Sequence, residues 1–260
     1  MKMKHGDYTN LANNYASHRP GYAPVVRNIL MSLPGKPISD MSVADVGAGT
    51  GIWTRMMADL MPKTILGVEP NDAMRGEGER GNNGRPINWC KGSGEKTGLA
   101  DASLDLLTMA SSFHWVDFDM AMAEFKRVLR PGGWFAALWN PRFLEDSPLL
   151  LEIEDELRKI VPDLKRVSSG HGEFTESLLG KLRSVPELDD VIYLEGFHTE
   201  VMSKERYLGA WRSVNDIQVQ AGPDRFKQFL NYIEDRLTGA DTVEAAYRTR
   251  AWAARYNSTR

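Results

Sequence analysis

The sequence contains one cysteine, Cys90, in 260 residues. A single cysteine excludes an internal disulfide and any metal site built from several thiolates, and it is typical of a reducing compartment. No apolar run approaches the length of a bilayer-spanning helix, and the first residues lack the apolar core of a signal peptide. We therefore expect a cytoplasmic protein that is neither secreted nor inserted into a membrane.

The sequence also lacks an excess of charge of either sign. Its formal net charge is −3, and its lysines and arginines form no basic stripe, so nucleic acid is not an expected partner. The five histidines include no pair at metal-ligand spacing, and we predict no metal site. Hydrophobic residues make up 42% and charged residues 26%, which is the ordinary composition of a folded globular protein.

Short apolar runs alternate with amphipathic stretches between Ser42 and Asn140. This alternation is typical of repeated strand–helix units, so the predicted fold class is α/β with a mostly parallel sheet. The predicted strands are Ser42–Val46, Thr64–Val68, Ile87–Cys90, Leu104–Met109 and Trp134–Trp139. The predicted helices between them are Gly51–Met61, Asp72–Glu79 and Asp117–Leu129, the last ended by Pro131, Gly132 and Gly133.

We interpret the chain as one domain with a helical lid. Residues 1–41 form an N-terminal helical cover, 42–140 the core, 141–241 a lid with a strand near 190–200, and 242–256 a closing strand. The predicted helices outside the core are Pro24–Leu33, Pro148–Val161, Thr175–Arg183, Lys204–Val214 and Asp224–Leu237. Alanine content favours a helix over Thr242–Tyr256, but Val243, Ala245 and Tyr247 alternate with more polar residues, which predicts a strand.

The strongest functional signal is a glycine-rich turn directly after the first predicted strand. Gly47, Gly49 and Gly51 stand at alternate positions, two residues after Asp45. Glycines permit both a sharp bend and the close approach of a ligand to the backbone. The spacing is G-x-G-x-G, whereas the dinucleotide fingerprint needs its third glycine one residue later, where this chain has Ile52.

This turn, with its preceding acid, resembles the first motif of the class I S-adenosylmethionine-dependent methyltransferases, D-x-G-x-G-x-G. The resemblance implies a Rossmann-like, seven-stranded sheet with helices on both faces, closed by an antiparallel strand. It also implies that S-adenosylmethionine is the cofactor, and that the turn wraps its methionine portion. The residues this assigns to the turn are Asp45, which supports the cofactor's amino end, and Gly47, Ala48, Gly49 and Thr50.

An acid follows the second predicted strand. Glu69 lies about twenty residues beyond the glycine turn, where a carboxylate can accept bonds from both ribose hydroxyls. In the resembled family this acid is the usual ribose ligand. The resemblance extends to Pro70 and to Met74, which would pack near the adenine.

Two further strand ends contribute candidate residues. After the third strand, Ser93, Gly94 and Glu95 resemble the family's adenine-reading segment, although glycine replaces its alanine and the following proline is absent. After the fourth strand come Ala110, Ser111, His114 and Trp115. Because ligands bind beyond the carboxyl ends of parallel strands, we expect Ala110 and Ser111 at the cofactor, His114 and Trp115 at the substrate, and His114 as a candidate general base.

The His114–Trp115 pair is similar to a small-molecule subgroup that includes trans-aconitate methyltransferases, of the methyltransferase type 11 class. Two other segments agree with that subgroup, one containing Tyr15 and Arg19 and one containing Trp211 and Arg212. The resemblance implies that the first pair closes over the cofactor and that the second pair lines the substrate pocket.

The predicted function is methyl transfer to an oxygen, nitrogen or carboxylate of a small molecule, by a monomer or homodimer. A hydroxyl or amine acceptor needs a base, and a carboxylate acceptor needs an orienting arginine, Arg19 or Arg212. Two alternatives stay open: a non-catalytic domain that binds the cofactor and regulates a partner, and a nicotinamide-dependent oxidoreductase, which the glycine spacing disfavours. A DNA amino-methyltransferase is disfavoured because Ala110–Phe113 replaces its Asn/Asp-Pro-Pro-Tyr motif.

Overall fold

The computed structural model describes residues 7–145, 147–165 and 170–257. Its strands are β1 (Ser42–Val46), β2 (Thr64–Val68), β3 (Ile87–Cys90), β4 (Leu104–Ala110), β5 (Leu129–Trp139), β6 (Leu188–Ser203) and β7 (Thr242–Tyr256). Within the described residues they form one seven-stranded sheet in the order β3-β2-β1-β4-β5-β7-β6. Strands β1 to β5 pair in parallel, and β7 lies antiparallel between β5 and β6. The predicted Rossmann-like α/β fold is confirmed.

Helices cover both faces of this sheet. They are α1 (Ala12–His18), α2 (Pro24–Ser32), α3 (Ile52–Ala58), α4 (Asp72–Arg80), α5 (Phe118–Val128), α6 (Pro148–Ile160), α7 (Glu173–Ser184), α8 (Lys204–Arg212) and α9 (Asn215–Arg236). Several begin at a side chain that accepts a backbone N–H, as Asn71 does for α4 and Asp117 for α5. These caps explain why the helices start directly after strand ends and turns.

The central strands are buried on both faces. Two apolar clusters sandwich the sheet, one including Phe113 and Phe125 and the other including Trp53 and Met57. Covering both faces of a parallel sheet requires nearly continuous apolar runs, which explains why β1 and β2 have the bounds predicted from the sequence. The edge strand β3 also has its predicted bounds, although its Asn88 is exposed.

A third apolar cluster lies in the lid formed by α6, α8 and α9. Trp211 is its fully buried centre, and the Trp211 and Phe229 rings meet edge to face with their centroids 4.9 Å apart. Helix α9 is broken at Gly222, whose φ of +72° is followed by Pro223. The lid is therefore packed around its own aromatic core and stands over one end of the sheet.

The closing strand is confirmed as a strand. Val243, Ala245 and Tyr247 are buried and alternate with more exposed residues. Pairing on both sides, with β5 and β6, outweighs the helical propensity of the alanines.

Other boundaries differ from the predictions. Strand β5 begins at Leu129, not Trp134, because Leu129 already pairs with Leu104 before an irregularity in register. The predicted helix Asp224–Leu237 corresponds to the second part of α9, which begins after the non-helical Gly222, whereas the first part, from Asn215, was not predicted. Helix α1 was not predicted. Among the described helices, none combines the length and apolarity that a bilayer crossing needs.

Candidate functional site

A cavity of about 830 Å³ opens at the carboxyl ends of the parallel strands, between the sheet and the lid. Residues that directly follow four of these strands line it: Gly47 after β1, Glu69 after β2, Ser111 after β4 and Asn140 after β5. Most of the residues predicted from strand ends are thus brought to one place. Among the described residues, the other predicted site residues that line the cavity are Tyr15, Arg19, Ala48, Gly49, Thr50, Pro70, Met74, Ser93, Gly94, Glu95, Ala110 and Trp115.

The glycine turn folds sharply over the end of β2. The amides of Gly47 and Ala48 both donate to the carbonyl of Val68, at 2.8 and 3.1 Å. Gly47, Gly49 and Gly51 have φ values of +67°, +57° and +79°, a region that residues with a β-carbon rarely adopt. The turn therefore requires its glycines and exposes bare backbone to the cavity.

Glu69 is joined to this turn. Its Oε2 accepts the amide of Gly49 and its Oε1 accepts the amide of Asn71, each at 2.8 Å. The side chain is largely buried, and burial raises the pKa of its carboxyl group despite these two bonds. A carboxylate has about four lone-pair sites, so each oxygen retains capacity for a further donor.

Asp45 lies beneath the turn and does not line the cavity. It is fully buried, and its Oδ2 accepts the Thr54 hydroxyl at 2.6 Å. Burial, reinforced by the charge of Glu69, raises the pKa of Asp45 to about 7. Within the described residues its Oδ1 is buried without a hydrogen-bond partner, so the carboxyl has an unused acceptor.

Arg19 connects the N-terminal cover to the lid. Its guanidinium lies over the Tyr15 ring, 4.7 Å from the centroid, and donates to the Ser213 hydroxyl at 2.7 Å and to the Ser213 carbonyl at 3.2 Å. Since Tyr15 and Arg19 both line the cavity, the contact between α1 and the end of α8 forms part of its wall.

Tyr22 and Asn140 line the cavity but were not predicted as site residues from the sequence. The Tyr22 hydroxyl lies 3.0 Å from the hydroxyl of Ser111, a residue with a φ of +55°. Asn140 donates to the Gly21 carbonyl at 2.7 Å and accepts the Thr249 hydroxyl at 2.7 Å. The rule that ligands sit beyond strand ends would have identified Asn140, because it directly follows β5.

His114 is turned away from the cavity that its neighbour Trp115 lines. Its Nδ1 accepts the indole N–H of Trp139 at 3.2 Å, and its Nε2 is buried without a hydrogen-bond partner in the described part of the chain. Because indole is only a donor, neutral His114 carries its proton on Nε2. Burial lowers the pKa of His114 to about 4. The geometry therefore disfavours the predicted role of a general base acting through Nε2.

Acid should destabilise the folded protein through His114, because this side chain is buried in its neutral form. Its folded pKa of about 4 lies below the ordinary value of 6.5, so its contribution to stability is complete above pH 6.5 and is lost as the pH falls toward 4. Between pH 7 and 4.5, the unfolding free energy of the wild-type protein should fall by about 2 kcal/mol more than that of His114→Gln. Urea denaturation at both pH values measures this. Equal losses in the two proteins would contradict it.

The substrate residues predicted in the lid do not line the cavity. Trp211 is wholly buried in the lid core, and Arg212 is exposed on the surface. Ala210 and Val214, four residues apart on one side of the chain, line the cavity in their place. Successive helical residues are rotated by about 100°, so Trp211 and Arg212 point elsewhere. The cavity instead contains Arg142, which the sequence analysis missed.

Comparisons with known proteins find methyltransferases among the proteins that this chain resembles. Residues 44–137 match the model of a family described as a methyltransferase domain. An uncharacterized methyltransferase of Mycobacterium bovis is 33% identical over 128 residues, 49% of this chain and 49% of that protein. The chain thus spans about half the length of the first relatives it matches. An uncharacterized methyltransferase-like protein of Schizosaccharomyces pombe is 27% identical over 225 residues, 81% of this chain and 80% of that one.

A structure from Anaeromyxobacter dehalogenans, assigned as a type II methyltransferase, shares the fold. Its TM-score is 0.66 at 21% identity, over 91% of this chain and 97% of that chain. The resemblance to class I methyltransferases, predicted from the glycine turn, is confirmed by the family match and the fold. Residues 44–137 therefore match a methyltransferase domain, and the chain shares its fold with a solved methyltransferase structure.

Proposed function

We propose that the protein transfers a methyl group from S-adenosylmethionine to a small molecule. One observation carries this proposal: the glycine turn and the buried carboxylate of Glu69 are hydrogen-bonded to each other and both line one cavity. The turn offers backbone without side chains, and the carboxylate offers paired acceptors for a diol. A nucleoside with an extended polar substituent presents the complementary groups.

The residues at the turn fit this cofactor. A Cβ atom on Gly47 would lie 2.6 Å from the Ser112 Cβ, so no side chain can occupy this part of the turn. Glu69 would hold the ribose hydroxyls, and Asp45, with its unused Oδ1, would support the amino end from below. Met74, Ser93 and Glu95 would surround the adenine, as the sequence resemblance implies.

The sulfonium of the bound cofactor supplies an activated methyl group, so the protein's own task is positioning and the exclusion of water. Arg19 contributes by linking α1 to Ser213 at the end of α8. Burial raises the pKa of the Tyr22 hydroxyl far above its usual value, so it stays protonated beside Ser111. Tyr22 can therefore donate or accept a hydrogen bond at the end of β4, but it is not a base at neutral pH.

The lid end of the cavity would receive the acceptor. Its apolar walls are Leu144, Leu151, Leu164, Ala210 and Val214. A concave site of this size favours a small molecule, and the net charge of −3 argues against nucleic acid. The trans-aconitate-like subgroup, the cytoplasmic location and the monomeric or homodimeric state remain predictions from the sequence.

Calorimetry tests the cofactor assignment. S-adenosylhomocysteine should bind at one site per chain, and NAD should bind at least tenfold more weakly, because the G-x-G-x-G turn lacks the third glycine of the dinucleotide fingerprint. Tighter binding of NAD would favour the oxidoreductase alternative, and the absence of any nucleotide binding would contradict the proposal.

A catalytic role must also be separated from cofactor binding alone. Purified protein is incubated with methyl-labelled cofactor and a small-molecule extract of its own cell, and products are identified by mass spectrometry. Glu69→Ala serves as the control, since it removes the carboxylate that is proposed to hold the cofactor. A labelled product that depends on Glu69 supports an enzyme, whereas tight cofactor binding without any product favours a regulatory domain.

A further inference from the structure

The lid end of the cavity contains a cross-strand pair that connects distant parts of the chain. Arg142 forms an isolated antiparallel bridge with Tyr247 of β7. The amide of Phe143 donates to the Ala246 carbonyl at 2.9 Å, and the amide of Arg248 donates to the Pro141 carbonyl at 3.0 Å. Residues directly opposite in such a pair project their side chains to the same side. Accordingly, Arg142 and Tyr247 both line the cavity.

The guanidinium of Arg142 is fixed against the lid core. Its Cζ lies 3.6 Å from the ring centroid of Trp211, which is completely buried. The indole face attracts the cation and restricts the rotation of the side chain. Trp211 was predicted to line the substrate pocket, but its position is behind the arginine, which it holds in place.

Arg142 has no acidic partner in the described part of the chain. No carboxylate oxygen there lies within 4.0 Å of its nitrogens, although Glu145 and Glu154 line the same cavity, and its Nε is buried without a hydrogen-bond acceptor. Arg248 differs in its acidic neighbours, because its nitrogens lie 3.9 Å from carboxylate oxygens of both Glu145 and Glu195, although its Nε is likewise buried without a hydrogen-bond partner among the described residues.

The Tyr247 hydroxyl, opposite Arg142, is also buried without a partner among the described residues. A partly buried cation and a buried hydroxyl are costly to leave unpaired, so their partners are expected from outside the chain. The guanidinium is donor-only and the tyrosine hydroxyl can also donate, and the guanidinium presents a planar fork that matches two oxygens of one anion. An oxyanion would satisfy both groups.

We propose that Arg142, with Tyr247 beside it, binds an oxyanion of the methyl acceptor, which is thus an acidic small molecule carrying a carboxylate or a phosphate. This proposal rests on the proposed function only in calling the bound molecule the methyl acceptor. The oxyanion site itself is defined by Arg142 and Tyr247. It assigns to Arg142 the role that the sequence predicted for Arg212.

Matched acidic and neutral probes test the site without knowledge of the natural acceptor. Binding of benzoate, phenyl phosphate and the neutral benzamide is measured by calorimetry, with and without saturating S-adenosylhomocysteine. At least one acid should bind tenfold or more tightly than benzamide, and the preferred acid distinguishes carboxylate from phosphate. Equal binding of both acids and the amide would overturn the proposal.

Three variants assign the effect to Arg142. Arg142→Met keeps an apolar stem over Trp211 and should abolish the acid preference, leaving S-adenosylhomocysteine affinity within twofold. Arg142→Lys keeps the charge but not the fork and should retain part of the preference. Arg236→Met removes the same charge from a surface pair with Glu152 and should retain all of it.

The two proposals fail in distinguishable ways. Loss of S-adenosylhomocysteine binding with an intact acid preference would refute the cofactor assignment alone. An acid preference that survives Arg142→Met would refute the oxyanion site alone, whatever the nucleotide result.

Discussion

Glu69→Ala is expected to weaken the binding of S-adenosylhomocysteine by about 5- to 150-fold, which corresponds to about 1–3 kcal/mol. The variant removes a carboxylate that is buried at the end of β2 and proposed to accept both ribose hydroxyls. It also leaves the amides of Gly49 and Asn71 without their acceptors. Calorimetric titration of both proteins measures the change in affinity.

A second ligand separates the ribose contact from a disturbed turn. Wild-type protein should prefer S-adenosylhomocysteine to its 2′-deoxy analogue, because one hydroxyl donor to Glu69 is missing from the analogue. Glu69→Ala should bind the two equally, whereas a variant that only disturbs the Gly49 turn would weaken both ligands and keep the preference. A preference unchanged by Glu69→Ala would show that Glu69 is not the ribose ligand.

The half of the site formed by the parallel strands could be predicted from the sequence. Strand bounds followed from apolar runs that must be buried on both faces, and residues placed directly after a strand, such as Gly47 and Glu69, must meet at one edge of the sheet. Such positions depend on local sequence and a single topological rule. The candidate cofactor residues that directly follow β1 and β2 can therefore be located without any knowledge of the lid.

The lid half could not be predicted, because its geometry depends on contacts between segments far apart in the chain. Arg142 faces the cavity because its backbone pairs with Tyr247 and its side chain lies on Trp211. No periodicity near residue 142 encodes those contacts. Arg212 looked equivalent in the sequence, but the rotation of α8 places Trp211 in the core and Arg212 in solvent.

His114 shows the same limit over a shorter distance. Phe113, His114 and Trp115 form one short helical turn after β4, in which Phe113 is buried and Trp115 lines the cavity. His114 points between them toward Trp139. The position of His114 at a strand end correctly predicted that it lies near the site. The direction of its side chain in the tight turn depends on which neighbour offers a hydrogen-bond donor.

Gly47→Ala is expected to abolish measurable binding of S-adenosylhomocysteine and to lower the unfolding free energy by about 2–5 kcal/mol. About 1–2 kcal/mol comes from placing a β-carbon at a φ of +67°. The remainder, about 1–3 kcal/mol, comes from forcing that carbon against the Ser112 side chain, whose Cβ and Oγ would lie 2.6 and 2.7 Å away. Urea denaturation and calorimetry measure the two effects.

Other glycines of similar φ separate strain from collision. Gly132→Ala, at +77° with nothing within 4 Å of the new carbon, should show the strain alone and bind S-adenosylhomocysteine normally. Gly49→Ala, at +57°, meets only the terminal methyl of Met74 at 3.4 Å and should be intermediate in stability. Adding Ser112→Gly to Gly47→Ala should recover the part of the stability that the collision removes. The opposite result is a Gly47→Ala variant that is as stable as Gly132→Ala and still binds S-adenosylhomocysteine. It would show that the turn does not need a residue without a side chain at position 47, and that the proposed cofactor site at this turn is wrong.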